Sequence, residues 1–121
     1  MKLVIAYLSP QPLQKLINTL ADQHVHGLTV SEAKGFGQEH DVGHPEYREF
    51  AGLELTKKLR LEIACHDEEV PAILDAIYAT AHTGQRGDGK VFVLTIDDAL
   101  RLKTGERGQS ALGPKRGGTL T

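Results

Sequence analysis

Tryptophan is absent, cysteine and methionine occur once each, and only three Tyr and three Phe are present in 121 residues. A single cysteine, Cys65, excludes an internal disulfide framework and points to a reducing compartment. The shortage of aromatics argues against a base-stacking or peptide-gripping surface. No charge sign dominates: the formal net charge is -2, which favours neither nucleic acid nor an anionic membrane as partner. Long hydrophobic runs are missing too. Leu3-Val4-Ile5-Ala6-Tyr7-Leu8 is stopped by Ser9-Pro10, too short for a bilayer span or for the apolar core and cleavage region of a signal sequence. The expectation is a cytoplasmic, one-domain chain with a core of useful size.

What is present is glycine, 13 residues, and its placement organises the chain. Thr83-Gly84-Gln85-Arg86-Gly87-Asp88-Gly89-Lys90 lies between an amphipathic run ending near His82 and the apolar burst Val91-Phe92-Val93-Leu94. Glycines let a backbone turn tightly and bring amide N–H groups close to an anion, and Lys90 adds a mobile charge suited to phosphate. The spacing is not that of the phosphate loop Gly-x-x-x-x-Gly-Lys-Ser/Thr, and no hydroxyl follows Lys90 to meet magnesium. The plainer alternative is a glycine-rich turn with a solvated lysine.

Leu3 to Leu8 reads as a central strand. Pro12 can open a helix, since its missing N–H would be unpaired there; Leu13, Leu16, Ile17, Leu20 and Ala21 share its apolar face. A second strand is expected over Val25 to Ala33. Gln38 to Gly52 has no usable period and reads as a long loop, either working or disordered. From Leu53 the parity sharpens: Leu55, Leu59, Leu61, Ile63 and Cys65 face one way, Lys58, Arg60 and Glu62 the other, with Lys57 interrupting the inner series. Cys65 on the apolar parity reads as a buried small hydrophobe. Asp67 is placed to cap a helix with Glu68 and Glu69 in its first turn, Pro71 near its start, and Val70, Ile73, Leu74, Ile77 and Ala81 as its buried stripe. Val91 to Leu94 reads as a short strand, Ile96 to Leu100 as one helical turn, and Arg101-Leu102-Lys103 as an extended segment.

The order β-α-β, long loop, β-α-β is the split pattern of an α+β, ferredoxin-like antiparallel sheet with two helices on one face. The division expected is a domain over residues 1–112, a long loop at about 37–55, and a flexible tail over 113–121. In the tail, Lys115 and Arg116 read as solvated.

Alternation would put Arg101 and Lys103 on one face of an extended segment. With Lys90 they could neutralise a di- or triphosphate while Gly87 and Gly89 supply N–H groups; a chance charge cluster on an exposed strand is the alternative. His40 and His44 with Asp41 have the donors for zinc or nickel, though in a loop their spacing does not bring them together. No histidine–nucleophile pair can be proposed from spacing, so binding is the expectation and enzymatic turnover is not; a slow ATPase would lack a nameable base.

Thr29-Val30-Ser31-Glu32-Ala33-Lys34-Gly35-Phe36-Gly37, the glycine loop with Val91-Phe92-Val93, and Arg101-Leu102-Lys103-Thr104-Gly105-Glu106 resemble three signature stretches of the PII signal-transduction proteins. The likeness extends over about residues 1 to 112. It implies ferredoxin-like subunits in a homotrimer, ATP or ADP (or AMP) in clefts between subunits, magnesium with ATP, and a long T-loop that docks on a target enzyme, regulator or membrane transporter. Members report energy state and, through 2-oxoglutarate, carbon–nitrogen balance.

Carried onto this chain, the resemblance puts Gly27, Leu28, Thr29, Glu62, Ile63 and Ala64 around the adenine, and Gly37 and Gln38 near the phosphates. Gly87, Asp88, Gly89 and Lys90 form the phosphate cradle, with Arg101 and Lys103 arriving from the neighbouring subunit. Lys103 stands where arginine is usual, which keeps the charge but not the guanidinium fork. Glu39 replaces the glutamine that helps hold magnesium and 2-oxoglutarate, while Lys58, which would meet the distal carboxylate, is kept. The tyrosine modified in enterobacterial members falls at Ala51, and Tyr47 lies in a different local sequence. These departures suggest a divergent sensor. Relatives tied to inorganic carbon, answering to ADP, AMP or bicarbonate, are one alternative, and a metal-responsive protein using His40, Asp41 and His44 is another.

Overall fold

The structure is a computed structural model that describes residues 1–23, 25, 27–36 and 55–114. Among the described residues, four strands and two α-helices follow in the order β1 (Lys2–Leu8), α1 (Leu13–Asp22), β2 (Thr29–Gly35), β3 (Thr56–Cys65), α2 (Val70–Ala81) and β4 (Gly89–Thr95). The strands form one antiparallel sheet ordered β2-β3-β1-β4. With both helices packed on one face, this is the expected ferredoxin-like fold.

Residue parity decides the faces. Along β1, Val4, Ala6 and Leu8 are buried, and in register with them Leu59, Leu61 and Ile63 of β3 point the same way. Leu16 and Leu20 of α1 and Ile73, Ala76 and Ile77 of α2 close this core from the helical side. The opposite parity, Leu3, Ile5 and Tyr7 with Phe92 and Leu94 of β4, lines the face that neither α1 nor α2 covers. Phe92 and Leu94 are each about half exposed there. Tyr7 meets the Phe92 ring edge-on, with centroids 6.3 Å apart, and the Arg60 guanidinium lies over Tyr7 at 5.7 Å.

Several boundaries differ from expectation. β2 begins at Thr29 instead of Val25, because the Val25 N–H closes the end of α1 on the Leu20 carbonyl at 3.2 Å. β3 begins at Thr56, and Lys57 stays in the ladder opposite Lys34, its ammonium 3.1 Å from Glu32. Asp67 does not cap α2. Residues Asp67–Glu69 form a 3-10 turn, and α2 starts at Val70 with Pro71 in its first turn. The Glu69 carboxylate accepts the His66 N–H at 2.7 Å, while Asp67 accepts a bond from the Met1 ammonium at 2.8 Å, which lowers its pKa.

Ile96 to Leu100 contains no helical turn, and Arg101-Leu102-Lys103 is not extended. Leu100 bridges Arg107, the Arg101 N–H donates to Glu106 O at 2.9 Å, and residues 102–104 form the bend of a small hairpin. Gly105 and Gly108 adopt positive φ, +79° and +67°, the left-handed geometry that lets so short a segment reverse. A further 3-10 turn, Gly108–Leu112, follows unannounced by any periodicity. Beyond it His66 Nε2 lies 2.9 Å from the Gly113 carbonyl, tying residue 113 to the residue that precedes the Asp67–Glu69 turn. Among the described residues no helix is long and apolar enough to cross a membrane.

Candidate functional site

The glycine loop joins α2 to β4 and is held by one carboxylate. Asp88 accepts the Thr83 hydroxyl, the Thr83 N–H at 2.7 Å and the Gly84 N–H at 2.9 Å, and the His82 ring is 3.8 Å away. These bonds, the Thr83 hydroxyl foremost, hold the Asp88 carboxyl below its ordinary range. Asp88, expected in an anion cradle, thus staples the loop that carries that cradle. Gly84, Gly87 and Gly89 all have positive φ, +82°, +92° and +102°. The Gly87 carbonyl is turned inward, accepting from Ser9 Oγ at 2.7 Å and from Lys58 Nζ at 2.9 Å. Lys58 therefore buttresses the loop.

Around this loop lies a cleft of about 640 Å3, lined by Gly87, Asp88, Gly89, Lys90 and Lys58 together with Tyr7, Gly35, Phe36 and Phe92. It sits where β1 and β2 end and β3 and β4 begin. A second cavity, of about 480 Å3, lies at the other end of the uncovered sheet face. Gly27, Leu28, Thr29, Glu62, Ala64 and Arg101 line it, with Leu3, Ala111 and Leu112. Arg101 is braced there, its Nε donating to the Ala111 carbonyl at 3.3 Å.

The two cavities share no residue. Tyr7 of one and Leu3 of the other are four positions apart on β1, about 13 Å at strand spacing. So the residues singled out from the sequence gather in two groups: Lys90 and Lys58 with the glycines, and Arg101 with Gly27, Leu28, Thr29, Glu62 and Ala64. Ile63 joins neither through its side chain, which is buried in the core. Lys103, on the hairpin bend, lines neither cavity. Gly37, Gln38 and Glu39 lie outside the described residues, as do His40, Asp41 and His44. Among the described residues no group of three metal-ligating side chains comes together. Sequence reasoning overlooked Tyr7, Phe36 and Phe92, although the parity of β1 and β4 sets Tyr7 and Phe92 on the face away from the helices.

Fold and cavities define a class: a small ferredoxin-like domain whose uncovered sheet face ends in a glycine-loop cleft. A family model described as "Nitrogen regulatory protein P-II" matches residues 1–106. The "Nitrogen regulatory protein P-II" of Rhizobium etli is 44% identical over 115 residues, covering 93% of this chain and all of that protein. That of Azospirillum brasilense is 37% identical over 115 residues with the same coverage. The "Nitrogen regulatory protein P-II 2" of Methanothermobacter thermautotrophicus is 33% identical over 112 residues, covering 93% and 97%. The chain belongs to the PII nitrogen regulatory protein family.

Proposed function

We propose that this chain is a non-catalytic signalling subunit that binds an adenine nucleotide between copies of itself and regulates a target protein through the loop following Gly37. One observation carries the reading. Arg101, a cation expected at the phosphates, lies with the expected base-binding residues and away from Lys90. Phosphates touched by both Lys90 and Arg101 therefore draw on two chains. One copy offers the glycine-loop cleft, and its neighbour offers the cavity of Gly27, Leu28, Thr29, Glu62, Ala64 and Arg101. Repeating that contact head to tail closes a ring, and a trimer is the ring proposed.

The donor set fits the ligand. Lys90 and Arg101 are exposed cations, and the positive-φ glycines let the loop backbone approach an anion. Ile63 contributes backbone alone. Magnesium, when bound, neutralises the nucleotide phosphates; Glu39 is the residue of this chain that would help hold it. Within the family reading, ATP or ADP is the ligand and energy and carbon–nitrogen status the signal. Glu39 in place of a glutamine favours a weak response to 2-oxoglutarate, and so a sensor closer to those answering ADP, AMP or bicarbonate.

Calorimetry of the pure protein with ATP, ADP and AMP, each with and without 2-oxoglutarate or bicarbonate, tests the proposal. Saturable binding of at least one nucleotide is expected. Absence of binding by all three would remove it.

A further inference from the structure

On the far side of the glycine loop a groove of about 630 Å3 runs between α2 and β4. Its apolar lining comes from Leu74, Ile77, Tyr78 and Ala81 of α2, with Leu8 of β1 and Val91 of β4. Asp75 and Asp88 also border it, with Lys90 and with His82, whose ring stacks on Tyr78 at 4.5 Å. Elsewhere, the hairpin between Leu100 and Arg107 holds Leu102 in its bend, 92% exposed, between Arg101 and Lys103. A lone exposed leucine needs no explanation; its flanking charges and its place beside Arg101 are what point to a use.

We infer that Leu102 of one copy seats in the α2–β4 groove of the next, as the apolar anchor of the subunit contact. The inference rests on the proposed ring and adds its second half. Asp88, Gly89 and Lys90 line both this groove and the cleft that holds Lys58. Once Arg101 of one copy closes on that loop of its neighbour, Leu102 follows at one Cα spacing, about 3.8 Å, beside the loop whose other flank is the groove. The chemistry matches in its apolar part, a leucine against an apolar trough, and Asp75 and Asp88 outnumber the one lysine, Lys90, at its border. A hairpin on one copy and a groove on the other make a heterologous contact, which repeats around a closed ring.

The test is a double variant, Leu102→Cys with Tyr78→Cys, both at exposed positions, oxidised mildly and run on a non-reducing gel beside each single variant. Cys65 does not compete, being buried, with burial and then Glu69 pushing its thiol up to about 11. Covalent dimers and trimers are expected from the double variant and from neither single one. In sedimentation equilibrium Leu102→Asp is expected to raise the ring's dissociation constant about tenfold to hundredfold, the factor set by burying one leucine, with Leu102→Met close to wild type. A trimeric wild type whose double variant stays uncross-linked or closes an internal disulfide overturns the inference. So does a Leu102→Asp variant that dissociates like wild type. A monomeric wild type is a different result: it removes the ring itself, and this contact with it.

Discussion

A Cβ on Gly89 would sit 1.8 Å from the carbonyl oxygen of Tyr7, at a φ of +102°. Neither the space nor the backbone accepts a side chain, so Gly89→Ala is expected to destabilise the fold by more than about 2 kcal/mol in urea unfolding. An unchanged midpoint would mean that β4 can pass β1 with room to spare. Lys90 tests chemistry instead of packing: Lys90→Ala should weaken ADP binding by roughly 1.5–3 kcal/mol, the scale of a charge-assisted hydrogen bond, and leave adenosine binding nearly alone. Equal ADP affinity in calorimetry would show the loop to be only a turn. At position 39 the competing terms are an extra carboxylate and the pull of magnesium. Two like charges about 4 Å apart at an effective dielectric near 20 repel by roughly 4 kcal/mol before screening, and a third of that costs about tenfold in affinity. With ATP and magnesium bound, weak 2-oxoglutarate binding that Glu39→Gln restores is the expected titration. Tight wild-type binding with no gain from the variant would refute the charge argument.

For elements, the glycine loop is an assembly held by one side chain, and its pH response follows. Asp67, Asp88 and Asp98 each have a lowered pKa, through bonds from the Met1 ammonium, from Thr83 and from Arg107 respectively. A carboxyl held lower in the folded state stabilises it above the unfolded pKa, and that stability is lost as pH falls through the folded value. Melting temperature should therefore drop on acidification from about pH 5 to about pH 2, and Asp88→Asn should remove its share of the slope. A variant with the wild-type slope would mean that the staple contributes nothing. The elements also show what was legible beforehand. Alternation over Leu59, Leu61, Ile63 and Cys65 and the stripe of α1 could be read because each repeats its period several times. Arg101-Leu102-Lys103 alternates once, which a bend satisfies as well as a strand. Asp67 has the chemistry of a cap, but the Met1 ammonium, distant in sequence, claims it. The site's residue types were legible and their grouping was not. Only the sheet reveals that Arg101 keeps company with Glu62 and that Lys90 does not.

At the scale of the molecule, the sheet leaves an apolar edge open. Phe92, Val93 and Leu94 of the edge strand β4 are all exposed in the isolated chain, an arrangement that soluble proteins usually cover. A trimer is the expected species at micromolar concentration in sedimentation equilibrium, and a monomeric mass would remove the proposed site between chains. The order of the sheet has a consequence in time. Its first-made strand, β1, lies between β3 and β4, and residues 2–8 find their partners at 59–65 and 89–95. Pairings so far apart along the chain close slowly. During synthesis β1 therefore has no complete pair of neighbours until Thr95 has emerged, and any product halted before Gly89 carries its central strand as an open, sticky edge. Until both partners are present, that strand stays open to pairing with other chains.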